Sequence, residues 1–236
     1  MLPVAVLAGG LGNRLRVVTG DTLPKALVPV LGRPFIDWKL EELAAAGAHR
    51  VILLVGHHGS AIREHVGSSW HSSLEVECVD DGPTLVGTGG ALVRALPLLG
   101  DAFWVTYGDS LIHIDMERAE ARFRRAGVAA LMTVLHNQDR FQPSNVVVAG
   151  DLVVAYSKDP PPTGAEHIDY GMLAFRRDAI PAIDPSRGVD LTEILATLVD
   201  SRQLGAFEVT EQFHDIGTPQ ALRETERFLL GRLNDA

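Results

Sequence analysis

The residues that could do chemistry stand where apolar runs end. The first group is "LAGGLGNRLRVVTGDTLPKALVPV" (7–30), with Gly9, Gly10 and Gly12 followed by Arg14, Arg16 and, past a turn, Lys25. Glycines let a backbone approach a ligand and offer a run of N–H donors, an anion nest, and the cations behind them select for negative charge. It is not the dinucleotide fingerprint, because Leu15 stands where the third glycine belongs and no acidic residue closes the next apolar run, "LLVGHH". Nor is it a Walker loop, since no Gly-Lys-Ser/Thr follows at the required spacing. The second group, "VGTGGA" (86–91), opens a helix. Its Gly87, Gly89 and Gly90 leave room for a flat ligand, and helix-start amides can donate to it. The third is a pair of carboxylates, Asp109 after "WVTYG" and Asp215 in "HDIGTP". Two aspartates at strand ends suit Mg²⁺, which takes one or two carboxylates plus phosphate oxygens and water.

Plainer readings stand beside these. Asp109 taken singly is a turn residue, and Asp215 taken singly a helix cap. Asp190 in "DLTE" sits three before Glu193 and reads as a capping box. Lys158 in "AYSKDP" ends a hairpin strand, where a lysine is usually solvated. His57 and His58 follow a strand with no third ligand at metal spacing, and "FRRAG" (123–127) reads as a solvated helix face.

The elements that must position these groups alternate. Strands are predicted at 3–8, 50–56, 74–81, 102–109 and 128–135, with helices at 34–47, 60–67, 87–100 and 116–127. The first helix puts Ile36, Leu40, Leu43 and Ala44 on one face. Further on come a hairpin around Gly150-Asp151, a strand at 168–175, a helix at 191–202, a strand at 206–217 and an amphipathic closing helix at 219–233. Strand–helix alternation from the first residue predicts an α/β fold, a three-layer sandwich whose central sheet is mixed but mostly parallel. Ligands in such sheets sit outside the carboxyl ends of the parallel strands. That directs attention to 9–16, 56–59, 80–91, 108–111 and 215–218.

Composition narrows the function classes. The 236 residues hold 46% hydrophobic and 22% charged residues, ordinary for a soluble globular protein, and no Pro-, Gly- or Ser-rich linker divides them, so one domain (1–236) is predicted. A net charge of −9 opposes nonspecific nucleic-acid binding. The apolar runs are too short for a membrane span, and "MLPVAVLAGG" lacks a basic n-region and reads as a first strand. With Cys78 alone there is no intrachain disulfide or cysteine metal site, which fits a reducing, cytoplasmic setting.

Together these residues resemble the sugar-1-phosphate nucleotidyltransferases over essentially the whole chain. "LAGGLGNRL" with "LPKALVPVLGRP" looks like that family's N-terminal signature, and "GTGGA", "YGDS", "SKDP", "DYGMLAF" and "HDIGTP" look like its later motifs. The resemblance implies a Rossmann-like fold and transfer of a nucleoside monophosphate from a nucleoside triphosphate to a sugar 1-phosphate, releasing pyrophosphate. It implies catalytic roles for Arg14 on the leaving pyrophosphate and Lys25 at the α-phosphate. Nucleotide contacts fall on Leu7, Gly9, Gly10, Gly12 and Asn13, and on Gly87, Thr88 and Gly90. Asp109 and Asp215 would hold Mg²⁺, Lys158 would meet the sugar phosphate, and Tyr170 and Gly171 would border the sugar. Compact length, "LGNRLR", "VGTGGA" and "HDIGTP" look most like the guanylyltransferases for heptose or mannose 1-phosphate, so GTP is the expected donor. Uridylyltransferases acting on N-acetylmuramate 1-phosphate or another hexose 1-phosphate are the alternative, and a non-catalytic nucleotide-sugar-binding regulatory subunit is the alternative of another class. Homo-oligomers are common among relatives, and the chain is expected to lack the C-terminal β-helix of bifunctional members. Departures are Asn13 for Thr, Tyr107 for an Asn before Gly-Asp, and Ser157 for a glutamate before the lysine.

Overall fold

A four-residue apolar run starts the sheet: β1 (Val4–Leu7) lies between β4 (Arg50–Val55) and β6 (Ala102–Tyr107), parallel to both. The computed structural model describes every residue except 11–14, 16–22, 70–73, 83–85, 183, 185–187 and 236. Alternation along these strands separates two cores. Val4, Val6, Val51, Leu53 and Trp104 face one helical layer, made of α1 (Phe35–Ala45), α2 (Gly59–Ser69) and α4 (Met116–Ala126). Ala5, Ile52, Leu54, Phe103 and Val105 face the other, made of α3 (Gly87–Leu99) and α5 (Leu191–Asp200). The result is the expected three-layer α/β sandwich.

The remaining strands are β5 (Glu75–Asp80), β8 (Ala130–His136), β9 (Val146–Ala149), β10 (Leu152–Tyr156), β11 (His167–Arg176) and β12 (Leu204–Val209), and the sheet order is β5-β4-β1-β6-β11-β8-β12-β10-β9. β10 and β11 run against the other seven strands, so the sheet is mixed and mostly parallel. The chain builds outward from β1 through β4 to β5, then crosses to β6 on β1's other side. Strand order therefore reverses between β1 and β6, and the crevice there is where an open α/β sheet holds its ligand. Asp190 caps α5 through the predicted box with Glu193, and the hairpin turns at Gly150-Asp151.

One predicted element divides. The run 206–217 is not a single strand: β12 ends at Val209, and His214–Asp215 forms a separate short strand, β13. β13 leaves the main sheet to pair antiparallel with β7 (Ser110–Leu111). A second small ladder joins β2 (Pro29–Val30) to β3 (Arg33–Pro34). A separate apolar cluster, including Val28, Phe35, Leu111, Ile216 and Leu229, packs these ladders against the last helix, α6 (Pro219–Asp235). That cluster fixes the segments carrying the predicted carboxylates.

Candidate active site

Two cavities open at the carboxyl ends of β1 and β6, and they share Tyr107 and Asp109. The first, about 260 Å³, is lined by Leu7, Gly9, Gly10, Lys25, Gly87 and Thr88 among others, so most of the predicted nucleotide contacts meet in one place. The second, about 620 Å³, brings Lys158, Tyr170, Gly171 and Asp215 to the other side of Asp109. Arg14, Gly12 and Asn13 lie outside the described residues. Gly90 does not line the first cavity, because it is buried behind the wall.

The glycines of 86–91 serve close helix packing, while Gly87 and Thr88 also line the first cavity. Gly87 has φ +74°, and a Cβ there would fall 2.4 Å from the Val189 carbonyl oxygen. Gly89 and Gly90 both donate their N–H groups to that same carbonyl, at 2.8 and 3.3 Å. The Thr88 hydroxyl donates to Asp190 at 3.1 Å and accepts from Leu191 N at 2.8 Å. These residues seat α3 on the start of α5, and those two helix-start amides are not free for a ligand.

Asp109 and Asp215 come together because of the β7–β13 ladder. Asp215 lies opposite Ser110, and Ile216 N donates to the Asp109 carbonyl at 3.0 Å. One Asp215 carboxylate oxygen accepts from Gly217 N at 2.6 Å and the other from the Gln142 amide at 3.2 Å. Asp109 pairs through Oδ2 with the Lys25 ammonium and through Oδ1 accepts from Ser110 at 3.1 Å. Burial pushes the Asp109 carboxyl up, but Lys25 and the hydrogen bonds together outweigh it and hold the group below its ordinary value. Among the described residues no three His, Cys, Asp or Glu side chains form a metal cluster. Two hard carboxylates facing the same cavity fit an ion that draws its other ligands from phosphate and water.

Sequence reasoning missed several groups. Asp81, at the exit of β5, is 5% exposed and lines the first cavity, and its Oδ1 is buried with no hydrogen-bond partner. Burial raises its carboxyl to about 6. Its neighbour Asp80 turns outward to accept from Gly82 N, so "DD" is one turn residue and one cavity residue. Between pH 4 and 6 the folded protein holds a proton on Asp81 that the unfolded chain releases, so stability falls as pH rises through that window. Asp81→Asn removes this term. Relative to the parent it should gain about 2–3 kcal/mol between pH 4 and pH 7. Urea unfolding at both pH values checks this, and a pH-independent difference would refute it.

Lys39 is fully buried on α1, its ammonium 3.2 Å from Glu42 Oε2, while His113 Nδ1 stands 3.2 Å from Glu42 Oε1. Asp169, on β11, lines the second cavity and accepts from Gly171 N at 3.0 Å and from the Tyr156 hydroxyl at 3.1 Å. Tyr170 also borders that cavity, but its side chain is buried and its hydroxyl is engaged with His113 N at 2.9 Å. His57 and His58 rest against each other, 3.9 Å between centroids, and line neither cavity.

Known proteins resemble this chain in sequence and in fold. A low-salt glycan biosynthesis nucleotidyltransferase of Haloferax volcanii is 30% identical over 95% of this chain and 65% of its own length. A mannose-1-phosphate guanylyltransferase of Mycobacterium tuberculosis is 30% identical over 91% of this chain and 61% of its own. The chain thus spans somewhat under two thirds of these relatives. Among solved structures, HddC of Yersinia pseudotuberculosis complexed with GMP-PN superimposes with a TM-score of 0.79 at 23% identity, covering 97% of this chain and all of that one. That last likeness is one of fold. The profile of the nucleotidyl transferase family matches residues 4–232, and the chain belongs to that family.

Proposed function

We propose that this chain joins a sugar 1-phosphate to the α-phosphate of GTP, releasing pyrophosphate and forming a nucleotide-sugar. The observation that carries the reading is the seam: a glycine-walled cavity and a polar cavity meet at Asp109, with Lys25 on the carboxylate between them. In the reaction, a phosphate oxygen of the sugar attacks the α-phosphorus as the bond to the pyrophosphate oxygen breaks. That nucleophile is already ionised at neutral pH, so the site needs positioning and charge neutralisation more than a base. Two negative charges about 5 Å apart repel by about 3 kcal/mol at an effective dielectric near 20, and Lys25, Lys158 and Arg14 supply the opposing charge. Asp109 and Asp215 would hold Mg²⁺, which when bound screens the phosphates.

Support for guanine comes from Asp81. A carboxyl group in a lining shared with Leu7, Leu54 and Ala91, with one oxygen lacking a hydrogen-bond partner, suits the adjacent N1–H and amino donors of guanine. Uracil and thymine would place a carbonyl oxygen against it. Mannose and heptose 1-phosphates are the acceptors proposed for the second cavity. The free thiol of Cys78 fits a cytoplasmic enzyme, and no helix among the described residues is long and apolar enough to cross a membrane.

Pyrophosphate release tests this, with each of the four nucleoside triphosphates against mannose, heptose, glucose and N-acetylmuramate 1-phosphates and Mg²⁺. Release is expected with GTP and one acceptor, and none with Asp109→Ala. Release with UTP alone would overturn the guanine reading. Nucleotide binding with no release from any pair would favour a non-catalytic binding subunit.

A further inference from the structure

The sequence has only three lysines among its 21 Lys and Arg residues. Lys25 is paired with Asp109 and Lys39 with Glu42. Lys158 is exposed, just past the end of β10, and among the described residues it has no carboxylate within ion-pairing distance. An exposed lysine samples many rotamers, and immobilising one costs up to about 2 kcal/mol. Here the side chain is held, and a single residue holds it: Lys158 Nζ donates to the Tyr107 hydroxyl at 3.2 Å and lies 4.9 Å from the centre of the Tyr107 ring.

Tyr107 is in turn fixed from behind. An ammonium can only donate, so the Tyr107 oxygen must accept from Lys158, and its own proton is left for another partner. Tyr107 and Lys158 line the second cavity together with Asp169, whose carboxylate accepts from the Tyr156 hydroxyl at 3.1 Å. A carboxylate partner would offset the ammonium's charge, whereas the Tyr107 hydroxyl leaves that charge unpaired and two of its protons free to donate. Gly171 makes the arrangement possible: a Cβ there, at φ +92°, would sit 3.3 Å from Tyr107 Cδ2, so the ring occupies the space of a side chain.

We propose that Tyr107 is a positioning residue which sets the Lys158 ammonium at the seam of the two cavities, facing the phosphate of the sugar substrate. The proposal rests on the reading of the second cavity given above. Tyr107 lines both cavities, so the ring that seats Lys158 also borders the nucleotide side.

Trace acetylation with acetic anhydride, read by peptide mass spectrometry, reports on all three lysines separately in the intact protein. Tyr107→Phe keeps the ring and removes the hydroxyl. Lys158 labelling should rise about threefold or more in that variant while Lys25 and Lys39 keep their parental rates; a merely structural loosening would move all three. Mannose 1-phosphate, with inorganic phosphate alongside, should protect Lys158 in the parent and require about tenfold more ligand in Tyr107→Phe. In turnover, KM for the sugar 1-phosphate should rise by a similar factor with KM for GTP unchanged, and adding the substitution to Lys158→Met should cost nothing further. Unchanged Lys158 labelling in Tyr107→Phe, or full multiplicative loss with Lys158→Met, would overturn the role of Tyr107. Failure of both phosphates to protect Lys158 even in the parent would overturn the reading of the second cavity instead, since the labelling ratio without ligand judges Tyr107 by itself.

Discussion

Lys25→Ala is expected to lower turnover about a hundredfold at saturating substrates, a loss of about 3 kcal/mol of transition-state stabilisation. The ammonium stands in the first cavity on Asp109, at the seam where the bond exchange is placed. Its charge matters most when negative charge is spread over the α-phosphate, so kcat should fall more than KM rises. A second effect follows from the same contact. Lys25 is the largest of the groups that offset burial at Asp109, so without it that carboxyl rises. The acid limb of the pH–rate profile should therefore move to higher pH in the variant. Lys25→Arg should not restore the rate, because a planar guanidinium cannot take the place of a compact ammonium on one carboxylate oxygen. A pyrophosphate-release assay from pH 5 to 9 reads both effects, and near-parental turnover would remove Lys25 from the mechanism.

Glu42→Ala should destabilise the fold by about 3–5 kcal/mol, because it leaves a charge buried without its partner. Lys39 has no exposure, and burial already lowers its ammonium pKa against the pull of Glu42 and, further off, Asp109. The same carboxylate holds His113, whose pKa it raises by hydrogen bonding. A histidine whose folded pKa is raised adds stability that is full below its unfolded pKa of about 6.5 and is lost as pH climbs through the folded value. The penalty for Glu42→Ala should therefore be greater at pH 6 than at pH 9. Replacing the pair together, Lys39→Met with Glu42→Leu, should recover most of the loss, since apolar groups of similar volume need no partner. Urea unfolding of the two variants decides the matter, and equal destabilisation by both would contradict it.

The parts of the fold readable beforehand are those with local signals. Apolar runs of strand length, the Asp190–Glu193 cap and the Gly150-Asp151 hairpin act over a few residues, and each appears where its residues placed it. The division of 206–217 was not readable, because β13 pairs with β7 and not with the main sheet, and a tertiary partner leaves no mark on local periodicity. Lys39 shows the converse. It lies three residues after Ile36, on the buried face by spacing, but its residue type argues for solvent, and only the tertiary position of Glu42 explains its burial. The candidate site divides the same way. Strand exits and glycines were legible, whereas Asp81, Tyr107 and Asp169 needed the sheet order, because each matters through residues distant in the chain.

The β7–β13 ladder sets an order of assembly during synthesis. β5, β4, β1 and β6 are neighbours in the sheet and all come from the first 107 residues, so the strands flanking the nucleotide cavity can associate early. Asp215 arrives about a hundred residues later, and its strand has two residue pairs with which to dock. A ribosome-bound nascent chain can thus pair the strands on either side of the crevice well before the second carboxylate exists beside it. The two carboxylates can meet only after the strands on either side of the crevice have been made.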